Sequence, residues 1–127
     1  NILVNENIIN IEVLHALCII LKKSIIYIRK NIYYEFLYND NKPYIITLNK
    51  NDICLLEEYD DEYINNIKMN TLKIENYKKP IKSITSYTIK ELTNIANKLK
   101  IELLDKDTNK KKTKKILYEE IICKINI

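Results

Sequence analysis

Lysines are concentrated in one short segment near the end of the chain, at residues 110–115, where five of the six positions are lysine. Such a cluster can clamp the phosphates of a nucleic-acid backbone or act as a nuclear-localisation signal. A helix is expected to begin inside it, at Thr113. The cations then oppose the helix dipole, which favours anions at that end, and a bound phosphate would relieve the conflict. The alternative is a solvated loop enriched in lysine by AT-rich codons.

Two other groups of reactive side chains have simpler interpretations. His15 and Cys18 are three residues apart on a predicted helix, but no second ligand pair has the spacing that zinc requires. We interpret them as a packed core thiol beside a hydrogen-bonded histidine. The acidic run at residues 57–62 has no histidine nearby and is expected to be a solvated loop between elements. The sequence therefore predicts no catalytic residue, metal site or cofactor, and no enzyme.

Two amphipathic helices must position the lysine cluster. Thr88 and Glu91 have the spacing of a capping box, with Tyr87 and Leu92 at the positions of a hydrophobic staple. Apolar residues then recur at helical spacing at Ile89, Leu92, Ile95, Ala96 and Leu99. A second helix is predicted from Thr113, with an apolar face formed by Leu117, Ile121 and Ile125.

The same tail carries short motifs shared with a known class of module. They are Tyr87-x-x-x-Glu91-Leu92, Ile95-Ala96, KLKI at 98–101 and KTKKILY at 112–118. This pattern resembles the Rho-terminator N-terminal domain, which is similar to the SAP and LEM helix-extended-helix modules. It is also similar to the tails of proteins from large DNA viruses. The resemblance implies a helix-extended-helix fold, nucleic-acid binding and a viral origin.

Composition removes whole classes of function. The 127 residues include no Gly, no Trp, one Arg and one Phe, and Ile, Asn, Lys and Tyr are abundant, as expected of an extremely AT-rich genome. Without glycine there is no P-loop, dinucleotide-binding fingerprint, nucleophile elbow or EF-hand. Because the chain starts at Asn1 rather than Met, a fragment or a processed product is expected.

Charge is divided unevenly along the chain. Residues 1–77 hold 8 Lys and Arg against 11 Asp and Glu, a balance of −3, whereas residues 78–127 hold 13 against 6, a balance of +7. The two balances give the net charge of +4. A basic module behind a mildly acidic body fits a phosphate backbone or an anionic surface.

The apolar segments indicate an intracellular protein. The most apolar stretch, residues 8–21, is interrupted by Asn10, Glu12 and His15 and is too short to span a bilayer. The three cysteines are odd in number and lie in apolar runs, which predicts reduced, buried thiols rather than disulfides. If the protein is viral, its expected location is the nucleus, a viral factory or the virion.

The first part of the chain reads as one helix followed by strands. A buried helix is predicted over residues 8–23, capped by Asn7 or Asn10, and a short helix over 62–69. Strands are predicted over 24–28, 32–38, 44–48 and 53–59 as a short antiparallel meander, which gives an α+β body. This order also resembles the back half of papain-like and OTU-type cysteine proteases. The sequence has no histidine near residues 51–52 and no early nucleophilic cysteine, so the implied relative is truncated or degenerate.

The sequence thus predicts an α+β fold in three parts. These are an α+β body over 1–77, truncated at its N-terminus, a linker over 78–86, and a helix-extended-helix module over 87–127. The favoured function is non-catalytic nucleic-acid binding, with DNA as the favoured ligand and no membrane partner. The alternatives are a protein-interaction or structural virion or scaffold component, and the degenerate protease. The predicted phosphate contacts are Lys90, Lys98, Lys100, Lys111, Lys112, Lys114 and Lys115.

Overall fold

A mixed sheet lies between two groups of helices in the computed structural model, which describes residues 10–39, 42–49 and 52–125. The strands within these ranges are β1 (Ile25–Arg29), β2 (Ile32–Phe36), β3 (Tyr44–Asn49), β4 (Asp52–Leu56) and β5 (Leu72–Lys73). The helices are α1 (Ile11–Leu21), α2 (Asp61–Asn70), α3 (Ile89–Lys98) and α4 (Lys114–Ile125), with a 3-10 turn at Ile84–Ser86. The predicted α+β class and the C-terminal helix pair are confirmed.

The order of the strands differs from the predicted antiparallel meander. The sheet has the order β4-β3-β1-β2-β5, in which β1–β2 and β3–β4 are antiparallel while β1–β3 and β2–β5 are parallel. In β1, three consecutive residues, Ile25, Ile26 and Tyr27, are buried, so both faces of this strand are covered. A strand buried on both faces is typically central, with a neighbour on each side. The chain therefore places β3 on the far side of β1 rather than next to β2.

The two faces of the sheet are covered by different helices. On one face, Tyr27, Ile32 and Tyr34 belong to a buried cluster with residues of α1, α3 and α4. On the other face, Ile26 and Ile45 form a smaller cluster against α2. The larger cluster contains residues from both sides of the predicted linker at 78–86. The division into body, linker and module stays a prediction, but the two parts share one hydrophobic core.

Helix α1 begins where one of the two predicted caps stands. The Asn10 side chain accepts hydrogen bonds from the backbone N–H groups of Glu12 and Val13, at 2.9 and 3.3 Å. Two of the positions predicted to be helical, 8 and 9, and the alternative cap Asn7 lie outside the described residues. At its other end the helix stops at Leu21 because Lys22 adopts a left-handed conformation with φ of 56°.

The prediction that α1 is a buried helix is wrong for most of its length. Only Leu14 and Cys18 are buried, whereas Ile19, Ile20 and Leu21 are 56%, 71% and 55% exposed. The helix packs on the sheet through one narrow stripe. The apolar composition of the segment predicted a helix buried on all sides. Composition does not show how many other elements pack against a helix, so this prediction failed. In the part of the chain that the structure describes, no helix is long and apolar enough to cross a membrane.

Two of the three cysteines also differ from the prediction. Cys18 is buried as expected, but Cys54 and Cys123 are exposed. Cys54 lies on β4 at the edge of the sheet, and Cys123 lies on the outward face of α4. An apolar sequence neighbourhood therefore does not bury a residue at an edge or on the solvent side of a helix. All three cysteines are free thiols.

Candidate nucleic-acid interface

The start of α3 is fixed by the predicted capping box. Thr88 Oγ1 accepts a hydrogen bond from the Glu91 N–H at 3.1 Å, and the Thr88 N–H donates to Glu91 Oε1 at 3.0 Å. Each side chain thus satisfies a backbone donor that the first turn of a helix leaves unpaired. Tyr87 and Leu92 belong to the same hydrophobic cluster, as expected for the staple. The predicted beginning of this helix is confirmed in its hydrogen bonds.

Helix α4 begins one residue after the predicted position, with Thr113 as its cap. The Ile116 N–H donates to Thr113 Oγ1 at 3.3 Å, and the Leu117 N–H donates to the Thr113 carbonyl oxygen at 3.0 Å. Leu117, Ile121 and Ile125 are buried along the face predicted from their spacing. The lysine cluster therefore covers the end of the connecting loop and the first turn of α4.

The connection between the two helices is an extended loop that closes without glycine. Leu104 and Lys111 form an isolated antiparallel bridge, and the Asp105 carboxylate accepts hydrogen bonds from the backbone N–H groups of Asp107 and Thr108 at 2.8 and 3.3 Å. Asn109, with φ of 57°, takes the left-handed position that glycine often fills. Asparagine tolerates this conformation better than most residues, so the loop can turn tightly in a chain that lacks glycine.

The loop returns the chain so that the start of α4 lies near the start of α3. A pocket of about 250 Å³ is lined by Ile89 and Thr93 near the start of α3 and by Leu117 near the start of α4. A second pocket is lined by Leu99 and Ile125, near the opposite ends of the same helices. Both helix N-termini therefore lie at one end of the module, and both helix dipoles present their positive ends there.

Four of the seven predicted contact lysines lie at this end. Lys90 is exposed in the first turn of α3, and Lys111 is exposed in the bridge before α4. Lys114 is partly exposed and Lys115 is exposed in the first turn of α4. The name "amino-terminal basic end" is used below for this group of Lys90, Lys111, Lys114 and Lys115.

The other three predicted contacts are engaged or placed elsewhere. The Lys112 side chain is only 12% exposed, and its Nζ lies 2.7 Å from Glu120 Oε2 in a salt bridge within the protein. The Lys98 Nζ donates to the Lys68 carbonyl oxygen at 3.4 Å. Lys100 follows α3 at the end of the module opposite the amino-terminal basic end. Sequence spacing could not separate Lys98 and Lys112 from the others, because their partners Lys68 and Glu120 lie 30 and 8 residues away along the chain.

Glu91 lies within the electrostatic influence of this basic end. Its pKa is lowered, first by the hydrogen bonds from the backbone and side chain of Thr88, and further by the positive charges of Lys82 and Lys114. Lys82 was missed at the sequence level because it lies in the predicted linker. The only sequence signal for Lys82 was its place among the excess lysines after residue 77. Glu91 is the one acidic side chain of the α3 first turn, so it partly offsets the local positive charge.

The two tyrosines near the basic module hold the linker in place. The Tyr118 hydroxyl donates to the Lys82 carbonyl oxygen at 2.6 Å, and the Lys82 N–H donates to the Tyr87 hydroxyl at 3.0 Å. Both rings pack partly buried against the hydrophobic cluster. Both tyrosines are therefore engaged in packing and in hydrogen bonds with the backbone of the predicted linker.

The remaining reactive groups make contacts within the fold. Cys18 Sγ donates to the Phe36 carbonyl oxygen at 3.6 Å, and burial raises the pKa of its thiol. His15 is exposed and stacks on the Phe36 ring, with 4.9 Å between ring centroids. The predicted core cysteine is thus observed, whereas the histidine lies at the surface. No group of three His, Cys, Asp or Glu side chains within the described residues is placed to hold a metal ion.

The acidic run proved to be partly helical rather than a loop between elements. Asp60 caps α2 by accepting a hydrogen bond from the Tyr63 N–H at 2.9 Å, and Asp61 and Glu62 form the first turn. Acidic side chains are favourable at this end of a helix dipole.

Comparison with models of protein families, with curated protein sequences and with solved structures found no match to this chain.

Proposed function

We propose that this chain binds nucleic acid, with DNA as the favoured ligand, through backbone phosphates at the amino-terminal basic end. The observation that carries the proposal is the proximity of the starts of α3 and α4, which brings two positive helix ends to one surface with Lys90, Lys111, Lys114 and Lys115. Phosphate is bound readily where backbone N–H groups and cationic side chains converge at a helix start. The order helix, extended connection, helix agrees with the module that the tail resembles.

The placement of the charges gives a second, energetic reason. Cations in the first turn of a helix oppose its dipole by about 0.3–1 kcal/mol each when exposed. Lys114 and Lys115 both stand in the first turn of α4, and none of its first-turn residues is acidic. A phosphate at this position removes the repulsion and gains charge-assisted hydrogen bonds. Contacts of this kind read the backbone rather than the base sequence, so weak sequence preference is expected.

A salt titration of the full chain against random-sequence duplex DNA tests this function. Affinity should fall with salt at a log–log slope of about −0.9 for each phosphate contacted. Changing Lys90, Lys111, Lys114 and Lys115 together to Ala should flatten the slope by about 2–4 units and weaken all sequences alike.

A matched variant distinguishes binding at the amino-terminal basic end from a general effect of the net charge of the protein. Changing Lys78, Lys79, Lys100 and Lys124 to Ala removes the same charge from the linker and from the opposite end of the helices. This variant should keep most of the slope. Equal loss in both variants would mean diffuse charge attraction without a site, and absence of binding at about 50 mM salt would refute the proposal.

A protein-interaction or structural role is the second candidate, and one observation favours it. The pocket between the helix starts is lined mainly by apolar residues, of which Ile89 and Leu104 are 49% and 45% exposed. In that case, changing Ile89 and Leu104 to Ser should abolish partner binding while the lysine variants keep it. We expect no catalytic activity, and the degenerate-protease alternative gains no active-site pair from His15 and Cys18. Viral origin and an intracellular location remain predictions.

A further inference from the structure

The two outer edges of the sheet are protected to very different degrees. At one edge, β5 has only two residues and ends with Lys73, whose Nζ lies 3.3 Å from Glu35 Oε1. At the other edge, β4 has five residues, Asp52–Leu56, with no Lys, Arg or Pro. Short strands and charged residues are the usual devices that keep an edge from pairing with another chain. β4 has neither of them along Ile53–Leu56.

The outer side of β4 offers backbone groups for hydrogen bonding. Among the strands that the structure describes, β4 pairs with β3 alone, from Asn49↔Asp52 to Ile45↔Leu56. Alternate residues of an antiparallel strand direct their N–H and C=O groups away from the neighbouring strand. Among the described residues, no backbone hydrogen bond other than the ladder with β3 reaches β4. An extended segment lying against β4 would complete this ladder.

Apolar side chains of β4 indicate which kind of side chain an added strand should carry. Ile53 and Leu55 point to the same face of the sheet, opposite Leu48 and Ile46 of β3, and are 43% and 53% exposed. Leu48 on the inner strand is buried, so the hydrophobic surface continues from the core out to the edge. An added strand with apolar residues at alternate positions would cover Ile53 and Leu55.

The charge around β4 specifies the occupant further. Residues 52–62 carry six carboxylates and no lysine or arginine, and Glu57, Glu58, Asp60, Asp61 and Glu62 are all exposed. Lys42 contacts this segment, because its Nζ donates to the Tyr59 carbonyl oxygen at 2.6 Å. A second copy of this strand would bring its own carboxylates to the same edge. A basic segment would find complementary charge there.

We propose that the β4 edge binds an extended, basic segment of another protein by β-strand addition, with apolar residues at alternate positions. Antiparallel addition, the commoner kind of pairing, puts the N-terminal residues of the segment beside Glu57 and Glu58. The backbone ladder supplies affinity, Ile53 and Leu55 select alternate apolar side chains, and the carboxylates select lysine or arginine. This surface is separate from the amino-terminal basic end, so its test does not depend on the proposed nucleic-acid function.

The test uses the full chain and the peptide Lys-Lys-Thr-Val-Thr-Val-Thr, with Glu-Glu-Thr-Val-Thr-Val-Thr as the matched control. The basic peptide should bind at least about tenfold more tightly in low salt. Two further forms of the basic peptide, N-methylated either at the valines or at the threonines, each block one edge of its backbone. One form should lose binding and the other should keep it, because only one edge of the peptide faces β4.

Variants of the protein locate the peptide. Changing Ile53 and Leu55 to Thr should weaken binding by about tenfold, and Glu57→Gln with Glu58→Gln by about three- to tenfold. The matched control changes Ile20 and Met69, two apolar residues that are more exposed at 71% and 73%, to Thr and should leave binding unchanged. Equal affinity for the two peptides, or an equal effect of the two methylation patterns, would overturn the proposal. Sedimentation showing a dimer that depends on Ile53 and Leu55 would overturn it too, because the occupant would then be a second copy.

Discussion

Replacing Leu92 with Ala should destabilise the whole protein rather than the C-terminal module alone. Leu92 is fully buried, in a cluster that also contains Leu14 of α1 and Tyr27 of β1. Truncating a buried leucine to alanine costs about 2–5 kcal/mol, because transfer free energy is lost and a cavity remains. Elements from both the N-terminal and the C-terminal parts of the chain surround Leu92. We therefore expect the free energy of unfolding to fall by about 3 kcal/mol, which lowers Tm by about 10 °C in a chain of this length.

The measurement is urea unfolding followed by two probes. Far-UV circular dichroism reports the helices, and tyrosine fluorescence reports the core, since the chain has ten tyrosines and no tryptophan. Both probes should show one coincident transition, shifted to lower urea with an unchanged slope. The matched control is Ile89→Ala on the same helix, where the side chain is half exposed and the loss should stay below about 1 kcal/mol.

Two outcomes would refute this reasoning. If Leu92→Ala cost no more than Ile89→Ala, the enclosed position of Leu92 would be incorrect. If Leu92→Ala produced two transitions, with only the one assigned to α3 and α4 shifted, then the body and the module would unfold independently. That second result would support the predicted division at residues 78–86 and contradict a shared core.

Three further predictions concern single groups. Tyr27→Phe should leave the free energy of unfolding unchanged or raise it by about 1 kcal/mol, because the buried hydroxyl has no hydrogen-bond partner among the described residues; a clear loss in chemical denaturation would reveal a missing partner. Cys54 and Cys123 should react quickly with a thiol reagent at neutral pH, while Cys18, buried and with a raised pKa, reacts only on unfolding; rapid labelling of three thiols in the native protein would contradict this. Because the pKa of Glu91 is lowered in the folded state, its carboxylate stabilises the fold above the ordinary value of 4.5 and that contribution disappears as pH falls through the lowered pKa. The stability difference between wild type and Glu91→Gln should therefore shrink in acid, and a difference that grows would refute the assignment.

The helix ends were predictable because their signals are local. The capping box at Thr88 and Glu91 and the cap at Thr113 depend on side chains that reach the backbone two or three residues away. Such geometry is determined by spacing alone. The four predicted strands appeared for a similar reason, since enrichment in β-branched and aromatic residues is a property of each strand separately.

The arrangement of the strands could not be predicted by the same means. The apolar composition of β1 and β3 does not state which strand is the neighbour of which, and a parallel pair can be as apolar as an antiparallel one. The short strand β5 was missed because two residues are too few to show a recognisable strand pattern in the sequence. The exposure of Ile19, Ile20 and Leu21 was missed because composition does not count the elements that cover a helix.

The sequence by itself determined the local elements, the excess of positive charge after residue 77 and the cluster of lysines beginning the last helix. Only the tertiary structure decided which lysines are available, because Lys112 is held by Glu120 and Lys98 bonds to the Lys68 carbonyl oxygen. Only the tertiary structure brought the starts of α3 and α4 to one end and, among the described strands, placed β4 at the edge of the sheet. The physical reason is the distance along the chain over which each interaction acts. Helix caps and periodic apolar patterns involve residues a few positions apart, whereas ion pairs, burial and strand order depend on contacts between residues that are distant in the chain.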